Sequence, residues 1–156
     1  MSKMNVNRVL LGGLVAGLVM NTLDFFTNNY LLKDAWQRVA ATHNLDTEVM
    51  GGTAALVTFV IVDLLYGLLI VWTYAAVRPR LGPGPGTAVI SAFAVFLATG
   101  LIYVSFGDWF LSWNMVIRVS VMALVSMLAG GLAGAYLYQE EDGSDGTGHQ
   151  ALGTGH

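Results

Sequence analysis

Cysteine is absent from the 156 residues, proline occurs only three times, and just 11% of the positions are charged. Without thiols the chain has no disulfide framework, no thiolate metal site, no thioether-linked haem and no thiol centre for quinone-linked redox work. A soluble domain carries about 25% charged residues, so the shortage of charge excludes a fold solvated by water. The net charge of −3 leaves no basic face to displace phosphate counterions, which removes nucleic acid from the expected partners.

Reactive motifs are equally scarce. The histidines are His43, His149 and His156, none inside an apolar run, so a bis-histidine haem has no axial ligands. There is no Gly-x-Ser-x-Gly elbow, no His-Glu-x-x-His, no Gly-x-x-x-x-Gly-Lys loop and no acidic cluster of the kind that holds Mg²⁺ in membrane lipid transferases. The expectation is a protein that is not an enzyme and carries no cofactor or metal.

What the chain has in quantity is apolar sequence. Hydrophobic residues make up 55% of it and the mean hydropathy is +0.63. Four runs are long enough to cross roughly 30 Å of hydrocarbon at about 1.5 Å per residue. They cover residues 6–32, 53–77, 87–106 and 111–138, and they predict an all-α, polytopic membrane protein built as an antiparallel bundle of four transmembrane helices. Asn21 and Asp24 interrupt the first run, so it reads as a retained helix and not as a cleavable signal.

Basic residues set the expected orientation. Lys3 and Arg8 precede the first span, and Arg78 and Arg80 lie between the second and third, whereas the opposite side holds Lys33 and Arg38. This bias places both termini in the cytoplasm. Aromatic girdles agree, with Trp72, Tyr74, Tyr136 and Tyr138 at one interface and Tyr30, Trp36, Tyr103, Trp109 and Trp113 at the other.

The connections read as follows. Residues 78–86, with Pro79, Pro83 and Pro85 among glycines, predict a stiff non-helical turn. Its arginines serve as a topology signal and are placed to meet anionic headgroups. Residues 33–50 form an outer interfacial segment in which Trp36, Val39 and Ala40 share one helical face, as an interfacial helix or a frayed extension of helix one, while Asp46 or Thr47 offers a cap for a new helix running toward Gly51 and Gly52. Residues 139–156 turn acidic and then Gly-rich, the composition of a disordered tail. A metal site at His149 and His156 has no fixed geometry to support it there.

The polar groups within the spans are the candidate site. At about 100° per residue, Gly13, Gly17, Asn21 and Asn28 share a stripe with Asp24. The last span ends in Ala129, Gly130, Gly131, Ala133, Gly134 and Ala135, a small-xxx-small pattern. Helices one and four are therefore expected to pack together through Gly13, Gly17, Gly130 and Gly134. Asp24 and Arg118 each lie about seven residues inside the outer end of a span, roughly 10 Å deep, which predicts a buried salt bridge with Asn21, Asn28 and Asn114 satisfying the leftover groups. Asp63 sits near the midplane with Phe59, Gly67, Ile70 and Tyr74 on its face. With Arg118 taken, Asp63 is expected to be neutral and to donate a hydrogen bond to a helix-one asparagine or a backbone carbonyl, as packing glue or as a proton carrier.

Three stretches carry a resemblance. RVLLGGLVAGLVMNTLDF (8–25), VWTYAAVRPRLGPGPGTA (71–88) and LAGGLAGAYLY (128–138) resemble a group of small uncharacterised bacterial four-helix integral membrane proteins. The resemblance extends over about residues 6–138 and implies the fold and a bacterial inner membrane, with no activity and no catalytic residue to transfer. Two functions fit the residues. One is a structural or accessory subunit of an inner-membrane assembly of the respiratory or photosynthetic kind, with lipids, other membrane subunits or a second copy as partners. The alternative is a small proton-coupled transporter working as a dimer, with Asp24 or Asp63 as carrier. That is the logic of four-helix multidrug exporters, from which this chain departs in its long outer loop, Asp63 and Arg118.

Overall fold

The computed structural model describes residues 4–46, 48, 51–107 and 109–138; the expected tail, with His149 and His156, and the alternative cap Thr47 lie outside them. The elements are α1 (Val6–Phe26), a π-helical turn (Thr27–Leu31), α2 (Lys33–His43), α3 (Thr53–Leu81), α4 (Pro85–Gly107) and α5 (Trp113–Leu137). Four stretches of 26, 29, 21 and 25 residues, namely α1 with its π turn, α3, α4 as far as Ser105, and α5, are long and apolar enough to span a bilayer. The molecule is a multi-pass membrane bundle.

α3 and α5 cross the middle of the bundle, α1 packs into one side of that pair and α4 into the other. Gly12 lies against Gly134 and Ala16 against Gly130, so residue numbers rise on α1 as they fall on α5, and the two helices are antiparallel neighbours as expected. Large apolar side chains point outward, among them Leu10, Leu14 and Leu18 of α1, Phe59, Leu65 and Leu69 of α3, and Ile117, Val121 and Val125 of α5. Two clusters line the interior: Ala16, Val71, Ala75, Ala88 and Ala135 with Val9 and the rings of Tyr74 and Tyr138 form one, and Met20, Ile70, Ala92, Val95 and Met127 another. Lipid cannot drive helices together by the hydrophobic effect, so close van der Waals approach has to do it.

Side chains explain where the helices start and bend. Asn5 caps α1 by accepting from the Arg8 amide at 3.0 Å, and Ser112 caps α5 by accepting from the Met115 amide at 3.4 Å. At the far end of α1, Asn28 Nδ2 donates to the Asp24 carbonyl at 2.8 Å and Asn29 Nδ2 to the Phe25 carbonyl at 2.9 Å. These amides compete for the carbonyls four residues back. The backbone widens accordingly, and the Leu32 amide reaches the Thr27 carbonyl at 2.8 Å, five residues back.

α2 follows and ends at Asn44 in the left-handed region (φ 52°). As expected, Ala40 of its apolar face is buried. Asp46 Oδ1 then accepts from the Glu48 amide at 2.8 Å.

The proline-rich turn is shorter than the sequence predicts. α3 continues through Pro79 to Leu81, where the Gly82 amide closes on the Arg78 carbonyl at 2.8 Å. Pro79 forfeits one backbone bond close to the helix end, where loss of a ladder bond matters least. Pro85 opens α4, a position at which a missing N–H costs nothing. Only 82–84 turn the chain, with Gly82 and Gly84 at φ 84° and 132°.

Candidate functional site

The expected polar network divides into three parts. In the bundle core Asp24 of α1 and Asp63 of α3 stand within electrostatic reach of each other, and Asp63 is 8% exposed. The neighbour of the Asp24 carboxyl is the hydroxyl of Ser126 on α5, which also lies 3.4 Å from the Met20 carbonyl oxygen. Asn21 Nδ2 donates to the Gly17 carbonyl at 3.1 Å and across to the Val60 carbonyl of α3 at 3.3 Å. Three helices thus converge on two carboxyls, one amide and one hydroxyl.

Arg118 is not part of this cluster, and the expected Asp24–Arg118 bridge is not formed. α5 begins at Trp113 and not at 111, which brings Arg118 closer to the helix end. Its side chain lines a groove under α2, together with Asn114. Asn28 also belongs elsewhere: it is exposed, and its Oδ1 accepts from Trp36 Nε1 at 2.9 Å, tying the π turn to α2. The expected bond from Asp63 to a helix-one asparagine is absent among the described residues, and Asn21 Nδ2 donates to two backbone carbonyls.

Glycines hold the core in place. A Cβ on Gly130 would stand 2.7 Å from the Ala16 carbonyl, and one on Gly134 would stand 2.6 Å from that of Gly12. Gly130 and Gly134 therefore pack on α1 as expected. Gly13 and Gly17 do not face them: they face α3, where added Cβ atoms would come within 2.7 Å of Leu68 Cα and 2.6 Å of Leu64 Cα. Gly67 completes this contact, since its own Cβ would overlap the Gly17 amide nitrogen and lie 2.5 Å from the Gly13 carbonyl. α1 thus presents two small-residue stripes, Gly13 and Gly17 to α3, and Gly12 and Ala16 to α5.

Ser126 lies outside the expected set, and Gly67, expected only on the face of Asp63, takes a packing role. Ser126 continues the four-residue spacing of Gly130 and Gly134, a register the sequence displays. Gly67 stands one helical turn from Asp63 on the same face and serves as a packing residue. Set against family models, curated proteins and solved structures, the chain has no match.

Proposed function

We propose that the chain is a non-catalytic structural or accessory subunit of an inner-membrane assembly, resident in a bacterial cytoplasmic membrane with both termini on the cytoplasmic side. One observation carries this reading: Asp63, the more deeply buried of the two carboxyls, is bracketed on α3 by contacts that fix helix against helix. Toward the termini, Gly67 rests on the backbone of Gly13 and Gly17. Toward the far end, Asn21 bonds the Val60 carbonyl. Packed interfaces of this kind are not continuously deformable, which suits a fixed scaffold whose buried carboxyls set helix register. Its partners are lipids and other membrane subunits or a second copy.

The test is purification in mild detergent followed by mass spectrometry, with Asp24→Asn and Asp63→Asn run beside the native chain. A stoichiometric membrane partner retained by all three is the expected result. Recovery of the native chain alone, together with a proton flux in vesicles, overturns it.

A second reading is favoured by the Asp24–Asp63 pair itself. Two carboxylates within electrostatic reach of each other in an apolar setting repel, and protonation of either relieves that repulsion. A proton-coupled transporter would use such a pair as its carrier. Reconstituted vesicles decide, since an amide keeps size and hydrogen bonding but cannot release a proton. A flux abolished by Asp24→Asn or Asp63→Asn promotes the transporter.

A further inference from the structure

At the end of the bundle remote from the termini, α2, the turn before α5 and the first turns of α5 line an open cavity of about 360 Å³. Its polar lining comes from Arg38, Thr42, His43, Ser112, Asn114 and Arg118. Among the described residues no aspartate or glutamate lines it, and neither guanidinium has a hydrogen bond or an ion pair. The wall is built: the His43 ring donates through Nε2 to the Phe110 carbonyl at 2.8 Å and its ring packs edge-on against that of Phe110, which pins α2 over the start of α5.

Two guanidiniums on one small cavity repel each other, the more so beside apolar surface. Arg118 stands five residues inside α5, about 8 Å along the helix axis, where a cation is costly unless an anion or the interface meets it. An anion between the two arginines removes both penalties. The planar guanidinium forks match the paired oxygens of a phosphoryl group, Asn114 adds an uncharged donor, and the positive end of the α5 dipole lies at the same wall. The exposed rings of Trp109, Trp113 and Tyr30 mark this level as the membrane interface, the depth at which phosphates occur.

We propose that this cavity binds a phosphoryl anion held by Arg38 and Arg118. A phospholipid headgroup and free inorganic phosphate share that chemistry, and the site is independent of whether the core carboxyls act as glue or as carriers. The test uses the full chain, delipidated in detergent, titrated separately with phosphatidylglycerol, phosphatidylcholine and inorganic phosphate and read by native mass spectrometry and by thermal shift.

Saturable binding of phosphatidylglycerol in preference to phosphatidylcholine is expected. Arg38→Gln and Arg118→Gln should each weaken it about tenfold, as loss of a charge-assisted bond does. The lysine variants should lose less, because charge survives without the fork, and Arg8→Gln at the opposite end should change nothing. Inorganic phosphate bound through the same two arginines, with no preference between the lipids, assigns the site to the free anion. Anion binding that survives Arg38→Gln, or no binding of either anion, overturns the proposal. Arg38 lies on the exposed face of α2, so that variant folds even if Arg118→Gln does not.

Discussion

Gly17 of α1 and Gly67 of α3 meet backbone to backbone, close enough that a Cβ on Gly67 would overlap the Gly17 amide nitrogen. A methyl group there has only main chain to push against, so the helices must separate. Gly67→Ala is expected to destabilise the bundle by about 1–3 kcal/mol, the range for overpacking a tight core. Gly100→Ala is the control, because its Cβ would meet only the ring of Phe96, at 3.7 Å, and it should be neutral or mildly stabilising. Denaturant unfolding in micelles separates the two. Equal effects would mean that the α1–α3 contact is looser than the structure has it.

The neighbour of Asp24 is Ser126 and not Arg118, and that difference is measurable as coupling. A cycle of Asp24→Asn and Ser126→Ala should give an interaction energy of about 0.5–1.5 kcal/mol. The cycle of Asp24→Leu with Arg118→Leu should be additive to within about 0.5 kcal/mol, as for sites without a shared partner. Coupling in the second cycle and none in the first would restore the salt bridge.

How far the sequence determines these features depends on what each one rests on. The four spans are legible because hydrocarbon thickness fixes helix length, and α2 is legible because Trp36, Val39 and Ala40 recur with helical period. The α1–α5 pairing is legible from the small residues on both helices. The choice of neighbour for Gly13 and Gly17 is not, because Gly12 and Gly13 lie side by side and a wheel does not say which glycine faces which helix. Depth alone suggested joining Asp24 to Arg118. Depth carries no azimuth, and in the structure Arg118 lines the groove under α2 and not the bundle core. Pro79 departs from the expected non-helical turn because its missing donor breaks a helix interior but is tolerated in the last turn.

The turn between α3 and α4 gives a third expectation. Gly82 sits at φ 84° with open space around it, so a side chain there is strained by the backbone and not by neighbours. Gly82→Ala should cost about 1–2 kcal/mol. Gly86→Ala, also in open space but inside α4, should be neutral or stabilising by about 0.4–1 kcal/mol through the unfolded chain. Thermal unfolding of the pair checks the order, and a silent Gly82→Ala would show that the turn relaxes. Tyr74→Phe should loosen the same corner, since its hydroxyl accepts from the Gly84 amide at 3.2 Å.

Orientation is the last expectation. Lys3 and Arg8 flank the start of α1, and Arg78 and Arg80 close α3 at the same end of the bundle, whereas the opposite end has Lys33 and Arg38 on α2. Arg118 lies within a span and does not count, because the bias is read over short loops and span ends. A cytoplasm-active reporter fused after Tyr138 should therefore work, and the same reporter inserted after Asn44 should not. The margin is two charges, so Lys3→Gln with Arg80→Gln should produce a measurable inverted fraction, while each change alone should leave most molecules in the native orientation. These two positions suit the purpose because Arg78 is engaged with the Tyr138 ring at 5.5 Å, and replacing it would disturb packing as well as charge. An alkaline phosphatase fusion after Tyr138 that is active in the native chain reverses the orientation and moves the arginine-lined cavity to the cytoplasmic face.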